Sequence, residues 1–151
     1  MEGESRVVNR MLVSLFHDVL RIEEQTLHTG AHDDLSMREI HVVEAVCAAG
    51  DQNTMTALAA RLHVTTGSLT VAVAALCRKG YLLRDRSTID RRLVHIQPTE
   101  KGSLVAKAHE AFHDQMAQAV LECLEPDELP VFLKALRGIT TYFESKESPK
   151  A

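Results

Sequence analysis

The apolar residues of this chain recur every three or four positions over most of its length, which is the period of an amphipathic α-helix. The pattern predicts six helices, over residues 6–27, 36–49, 54–62, 65–79, 99–121 and 126–144. Ser36, Thr54 and Thr65 stand where helix N-caps are expected, and Gly80 stands where a helix should end. Pro130 is expected to kink the first turn of the last helix.

One stretch breaks the helical period and predicts a β-hairpin. An apolar run at residues 81–83 and a largely β-branched run at 93–96 flank a polar tip at 87–92. This hairpin follows the two short helices at 54–62 and 65–79. Helix, short turn, helix and hairpin, in this order, make a winged helix-turn-helix. The predicted fold class is therefore mainly α with a small β-hairpin wing.

Positive charge is concentrated in the hairpin and its flanks. Residues 78–102 carry seven Lys or Arg and three Asp or Glu, a local charge of +4 in a chain whose formal net charge is −4. A basic hairpin is suited to the phosphate-walled grooves of DNA. An ordinary solvated surface is the alternative, and it fits less well because the rest of the chain sums to −8.

Length and composition limit the class of protein. A chain of 151 residues with 45% hydrophobic content can bury the core of a single domain. It has no apolar run of about 18 residues and no signal peptide, so we expect a cytoplasmic protein without membrane contact. Cys47, Cys77 and Cys123 are odd in number and widely spaced, which favours buried free thiols over disulfides.

Nothing in the sequence indicates an enzyme. It has no Gly-rich phosphate loop, no nucleophile elbow and no zinc-protease helix motif, and its carboxylates are scattered over helix surfaces. Aromatic residues make up 4% of the chain, which argues against RNA modules that stack bases. The remaining classes are a DNA-binding regulator and a protein-interaction module that uses the winged fold without DNA.

Short motifs around the wing resemble the MarR-type transcription regulators. The family's wing-to-helix signature is matched by Asp90, Arg92, Ile96, Thr99 and Gly102. The segment LCRKGYL at residues 76–82 is similar to the family's junction between recognition helix and wing, and the likeness extends over nearly the whole chain. Pro98 stands where the family usually has Leu, so the end of the second wing strand is a point of departure.

Four further motifs resemble the FabT subgroup of this family: LRIEE at 20–24, REIH at 38–41, VH at 94–95 and HEAFH at 109–113. The likeness implies a repressor of fatty-acid synthesis genes, with long-chain acyl groups on acyl carrier protein as co-repressor. A single MarR-type domain is expected over residues 1–151, with a winged-helix core at about 36–102 and dimerisation helices at about 6–29 and 103–146.

The helices at both ends carry more apolar surface than the predicted winged-helix core of about seventy residues, called the reader module below, can cover. We therefore expect a symmetric homodimer, in which two recognition helices read a pseudo-palindrome in double-stranded DNA. A purely intramolecular core is the alternative.

The predicted recognition helix, residues 65–79, carries no Arg, Asn or Gln before Arg78. With Leu69, Val73 and Leu76 facing the core, the opposite face presents threonines and small residues, which suit thymine methyl groups. An A·T-rich operator also narrows the minor groove and favours insertion of a wing arginine. The expected DNA contacts are Thr65, Thr66, Ser68, Thr70, Val71, Arg78, Arg84, Arg91 and Arg92.

An acyl effector would need a long apolar slot. We expect this slot between the faces of the first, second and fifth helices. Its expected lining is Phe16, Leu20, Val42, Ala45, Phe112 and Met116. The alternative is that these residues form ordinary core, where enlargement or truncation costs stability.

His109 and His113 are four residues apart, which puts both imidazoles on one helix face, as in many metal sites. Zinc-responsive MarR-type members use such a pair with a Glu of the first helix and a His of the second. The likeness therefore implies Glu24 and His41 as the other two zinc ligands. A hydrogen-bonded or ligand-lining cluster without metal is the alternative, so no cofactor is certain.

Overall fold

The computed structural model describes residues 2–28, 33–86 and 94–146. Within these residues the chain forms six helices and one two-stranded antiparallel sheet. In chain order they are α1 (Glu2–His28), α2 (Met37–Ala49), α3 (Met55–Arg61), α4 (Thr66–Arg78), β1 (Leu82–Arg86), β2 (Val94–Pro98), α5 (Glu100–Glu122) and α6 (Leu129–Glu144). The prediction of a mainly α fold with a small β wing is confirmed.

Capping residues set the first ends of three helices. Ser36 begins α2 in a capping box, because its side chain accepts from the Glu39 amide while the Glu39 carboxylate accepts from the Ser36 amide at 2.8 Å. The side chains of Thr54 and Thr65 accept from backbone amides at the start of α3 and α4. Each cap satisfies an amide that the helix itself leaves without a partner. Local sequence therefore fixes these boundaries.

The chain forms two compact units, Met1–His109 and Glu110–Ala151, and α5 continues from the first into the second. In the first unit α2, α3, α4 and both strands enclose a core together with the first turns of α5. Its most deeply buried side chains are Ile40, Val43, Leu58, Leu69, Val73, Leu76, Tyr81, Leu82 and Ile96. The predicted core face of the fourth helix is thus confirmed.

Thr99 joins the base of the wing to α5. Its amide and its hydroxyl both donate to the carbonyl oxygen of Tyr81, at 3.0 and 3.1 Å, and the hydroxyl also lies 2.7 Å from the Gly80 oxygen. The Gly102 amide in turn donates to the Thr99 hydroxyl oxygen at 3.0 Å, which caps α5. The second strand continues to Pro98, so the departure from the family's usual Leu does not end it early.

Helices α1 and α6 present apolar side chains that the described residues do not cover. The exposed apolar residues of α1 include Val7, Val8, Met11, Val13, Leu15, Phe16, Leu20 and Ile22. Helix α6 has no buried residue and exposes Val131, Leu133, Leu136, Tyr142 and Phe143. Both helices therefore offer surface for a further packing partner.

Two local predictions need correction. The last helix begins at Leu129, so Pro130 lies at its very start, where a missing N–H costs nothing, and it does not kink a preceding turn. All three cysteines are free, as expected, but Cys47 and Cys123 are exposed and only Cys77 is partly buried. The prediction of buried thiols is therefore wrong for two of them, because their helix faces are not covered by the described chain.

Candidate nucleic-acid interface

Helices α3 and α4 meet at 107°, within the range of about 90–120° found for DNA-binding helix-turn-helix pairs. In the turn, His63 adopts a left-handed conformation with φ 53°. The amides of His63 and Val64 donate to the oxygens of Ala60 and Ala59 at 3.2 and 3.1 Å, a Schellman motif that closes α3.

No single described helix is long and apolar enough to cross a membrane. Among the described helices, only the bent pair of α3 and α4 together has the length and composition of a membrane span.

The face of α4 opposite the core presents the predicted DNA contacts. Thr66, Ser68 and Thr70 are exposed, and Val71 is 72% exposed although it is apolar. An exposed methyl-bearing side chain on a recognition helix suits the thymine C5-methyl group in the major groove. Arg78 is exposed at the C-terminal end of the same helix.

Hydrogen bonds inside α4 limit what its hydroxyl groups offer to DNA. Thr65 Oγ1 accepts from the Ser68 amide at 3.2 Å and donates to Ser68 Oγ at 3.0 Å. Thr70 Oγ1 donates to the Thr66 carbonyl oxygen at 2.7 Å. Thr65 therefore acts as the N-cap. Because the Thr70 hydroxyl donates within its own helix, the methyl group of Thr70 is the part available for base contact.

The wing is joined to the recognition helix through Arg84. Strands β1 and β2 pair antiparallel along all five residues of each. The exposed Arg84 guanidinium donates to the Thr70 carbonyl oxygen at 3.4 Å, which uses one of its five N–H donors. Arg84 is thus placed beside the predicted base-reading face. Arg91 and Arg92 lie outside the described residues.

A polar network fastens the end of α4 to the segment before α2. The Lys79 ammonium donates to both Glu39 carboxylate oxygens at 2.8 and 2.9 Å and to the Asp34 carbonyl oxygen at 2.5 Å. Tyr81 OH donates to the Asp34 carboxylate at 2.6 Å, which lowers the pKa of Asp34. Burial raises the pKa of Glu39, but the bonds from Lys79 and Ser36 outweigh it, and the pKa of Glu39 lies below its ordinary value. Burial and Asp34 raise the pKa of Tyr81.

Comparison with known proteins agrees with this geometry. The family model described as transcriptional regulator SarA/Rot matches residues 28–108, more than half of the chain. The structure is also similar to that of FabT from Streptococcus pneumoniae in complex with DNA, with a TM-score of 0.83 and 33% identity over 94% of this chain and 99% of that chain. The chain belongs to the SarA/Rot family of MarR-like transcription regulators.

Two structures of MepR from Staphylococcus aureus have a similar fold at lower sequence identity. MepR, a transcription regulator of the multidrug efflux pump MepA, has a TM-score of 0.65 and 18% identity over 89% of this chain and 97% of that chain. The complex of MepR with DNA has a TM-score of 0.68 and 19% identity over 89% and 96% of the two chains. No curated protein sequence matches the chain at a significant level. Membership of a family of regulators confirms the predicted DNA-binding class and excludes the enzyme class.

In this SarA/Rot-family chain a histidine of α5 stands between two carboxylates. The His109 side chain is 9% exposed; its Nδ1 lies 2.5 Å from Glu44 Oε1, and its Nε2 lies 3.6 Å from Glu23 Oε1. The His41 ring lies 5.6 Å from the His109 ring. Since a carboxylate accepts, Nδ1 of His109 donates to Glu44. The cluster connects α1, α2 and α5.

The predicted metal ligands are only partly brought together. His41, Glu44 and His109 place one ligand atom each within 4.8 Å of one another. Glu24 is exposed, and its neighbour Glu23 faces His109 instead. Adjacent helical residues point about 100° apart, so Glu23 rather than the predicted Glu24 faces His109. Glu44 was not among the predicted ligands. His113 lies one turn further along α5, in the second unit.

The predicted effector residues fall into different environments. Val42 and Ala45 are buried in the core of the first unit, whereas Phe16 and Leu20 are exposed on α1. Phe112 and Met116 belong to the second unit, where Phe112 is partly buried and Met116 is 37% exposed.

A cavity of about 710 Å³, open to solvent beside the exposed Val71, lies between α2 and α4 in the first unit. Its apolar lining consists of Val42, Leu62, Val64, Leu69, Val71, Ala72 and Ala75. Polar atoms come from Ser36, Arg38, Glu39, His41 and Ser68. This volume is within the range of about 300–1,000 Å³ usual for small-molecule sites. Val42 is the one predicted effector residue that lines it.

Proposed function

We propose that this chain is a cytoplasmic, homodimeric repressor of fatty-acid synthesis genes, with a long-chain acyl group on acyl carrier protein as co-repressor. The observation that carries the proposal is the likeness to FabT, at 33% identity over 94% of the chain. The fold and the exposed, uncharged face of α4 support DNA reading independently of that likeness.

The homodimer is supported by the exposed apolar faces of α1 and α6. Leu20 is 62% exposed and Val131 is 69% exposed, although both are aliphatic and lie on amphipathic helices. Large exposed apolar patches are uncommon on monomers, and a two-fold dimer is the most frequent way of covering them. We propose that residues 1–151 act as one MarR-type domain, with the winged-helix core at about 36–102 and dimerisation helices at about 6–29 and 103–146.

The DNA site is proposed to be an A·T-rich palindrome. On α4 the exposed Val71 and the Thr70 methyl group suit thymine, and no side chain before Arg78 can read guanine in the bidentate manner of arginine. Arg84 supplies charge beside α4. We propose Arg91 at the tip of the wing as the minor-groove contact and Arg92 as a further phosphate contact.

Two places are candidates for the acyl chain. One is the slot predicted between the first, second and fifth helices, for which Phe112 is an expected lining residue. The other is the cavity between α2 and α4, which has an apolar lining and Arg38 among its polar residues. Val42 of α2 lines the cavity and belongs to the predicted slot, and α2 packs against α4 in the core, so a ligand in either place can affect the position of α4.

The co-repressor is tested by fluorescence anisotropy on a labelled duplex from the promoter of the fatty-acid synthesis genes. Long-chain acyl carrier protein should tighten binding by about 5- to 150-fold, the usual size of allosteric coupling, and unacylated carrier protein should not. Phe112→Ala should abolish the effect if the predicted slot is used, whereas Ala72→Leu should abolish it if the cavity is used. Equal affinity of the parent protein with and without the acylated carrier would refute the co-repressor.

A zinc-responsive regulator is the second candidate, and the cluster of His41, Glu44 and His109 is the observation in its favour. Imidazole nitrogen and carboxylate oxygen are common zinc ligands. Elemental analysis of the purified protein decides between the two. One zinc per subunit, lost in His109→Ala with a change in DNA affinity, would favour the metalloregulator, and no zinc would leave the lipid proposal in place.

A further inference from the structure

The second wing strand is attached to the chain segment between α2 and α3. The amide of Ile96 donates to the carbonyl oxygen of Asn53 at 2.9 Å. Thr54 and His95 form an antiparallel bridge next to it. Strand β2 therefore has a hydrogen-bonded neighbour on each side, β1 on one and this connector on the other. A two-stranded ribbon alone is marginally stable, so the connector adds support to the wing.

A pair of side chains strengthens this attachment. His95 Nδ1 lies 2.5 Å from Asn53 Oδ1, and Asn53 is only 8% exposed. Whichever way the amide is turned, one of the two groups donates and the other accepts, because both imidazole and amide offer either role. A buried amide that lost this partner would be left with a costly unsatisfied group.

The pair stands at the outer part of the described wing. His95 is the second residue of β2, and its neighbour Ile96 is fully buried in the core. The contact with Asn53 therefore extends the attachment of β2 beyond the buried Ile96, toward the end of the strand that leads to the tip.

The first strand has a different attachment, since Arg84 donates to the Thr70 carbonyl oxygen of α4. A side chain of each strand thus bonds to the winged-helix core in addition to the backbone contacts and the buried Leu82 and Ile96: Arg84 from β1 and His95 from β2.

We propose that Asn53 and His95 are positioning residues for DNA binding: their contact sets the angle of the wing relative to α4, so that the wing arginines and the recognition helix engage the same DNA site. This inference rests on the proposed role of the wing arginines. Because Asn53 is buried, its side chain has no direct access to DNA, so any effect of changing it on DNA affinity is indirect.

The test uses the full-length protein and anisotropy titrations of a labelled operator over a range of salt concentrations. Asn53→Ala and His95→Ala should each weaken binding about tenfold and lower the salt slope by about 0.9, the value for one lost phosphate contact. His95→Gln, which keeps a donor and an acceptor, should restore most of the affinity. Gln97→Ala is the matched control, because Gln97 is exposed on the same strand and should bind as the parent does.

The double variant of His95 and Arg91 tests whether His95 acts on DNA affinity by placing the wing. If His95 acts by placing the wing, then His95→Ala combined with Arg91→Ala should bind no more weakly than the weaker single variant. If the losses of affinity in the two single variants multiply in the double variant, the inference is overturned. It is also overturned if Asn53→Ala and His95→Ala both keep the affinity and the salt slope of the parent protein. If Arg91→Ala itself binds as the parent does, the proposed role of the wing arginines fails, and the inference fails with it. Thermal unfolding of each variant separates these effects from loss of fold.

Discussion

Gly102, in the first turn of α5, is expected to tolerate no side chain. A Cβ atom built on it would lie 2.2 Å from the Tyr81 carbonyl oxygen and 3.2 Å from the carbonyl carbon. That oxygen already accepts from the amide and the hydroxyl of Thr99 at 3.0 and 3.1 Å. Since the obstructing atoms are backbone, relief requires the start of α5 to move away from the base of the wing by about 1 Å, toward the ordinary contact distance of about 3.5 Å.

The cost of Gly102→Ala follows from three contributions. Forcing an extra methyl into a packed site costs about 1–3 kcal/mol. Weakening the Thr99 cap costs about 1 kcal/mol more, and the better helix propensity of Ala returns about 1 kcal/mol. We therefore expect the free energy of unfolding to fall by about 1–3 kcal/mol. DNA affinity should fall as well, because the shift occurs where the wing meets the helices.

Urea unfolding followed by circular dichroism at one fixed protein concentration measures this change, since the stability of the proposed dimer would depend on concentration. Gly67→Ala in α4 is the matched control: its Cβ would meet only Thr65 Oγ1, at 4.0 Å. The control should leave stability unchanged or raise it by up to about 1 kcal/mol. A Gly102→Ala protein as stable as the parent would refute the reasoning, because it would mean that the close approach of α5 to Tyr81 is not required.

Three further predictions concern the reader module. His63→Gly should raise the free energy of unfolding by about 1 kcal/mol, because glycine adopts the left-handed turn conformation without strain; a lower melting temperature would contradict this. Glu39 has a lowered pKa in the folded state, so it contributes stability above its ordinary pKa of 4.5 that is lost as pH falls through the lowered value. Lys79→Met should flatten that fall in urea titrations from about pH 6 to about pH 3, whereas an unchanged pH profile would mean that the ion pair adds nothing. Val71→Asp should abolish specific DNA binding in anisotropy titrations while sedimentation shows the assembly of the parent, since Val71 is exposed; retained binding would assign DNA reading to another face.

The features that depend on residues close together in the sequence could be predicted. The start of α2 follows from the capping box of Ser36 and Glu39, which needs only four residues in a row. The core face of α4 follows from the helical spacing of Leu69, Val73 and Leu76, whose burial the structure confirms. Local propensity and periodicity are sufficient in such cases because no distant contact opposes them.

The contacts that depend on the rotation or distance of whole elements could not be predicted. Whether Glu23 or Glu24 faces α5 depends on the rotation of α1 about its axis, which the sequence pattern left open by one residue. The exposure of Cys47 depends on what covers the outer face of α2. Asn53 and His95 are far apart in sequence and no motif contains both of them, so their contact becomes visible only when the wing is folded against the connector.

In vitro selection of duplexes from a random DNA library, followed by sequencing of the bound fraction, tests the central claim most directly. A two-fold dimer that reads DNA with α4 should enrich an A·T-rich palindrome whose half-sites are about one helical turn, or about 10 base pairs, apart. Val71→Asp should enrich nothing under the same conditions. An asymmetric motif, a G·C-rich motif or no enrichment by the parent protein would contradict the account.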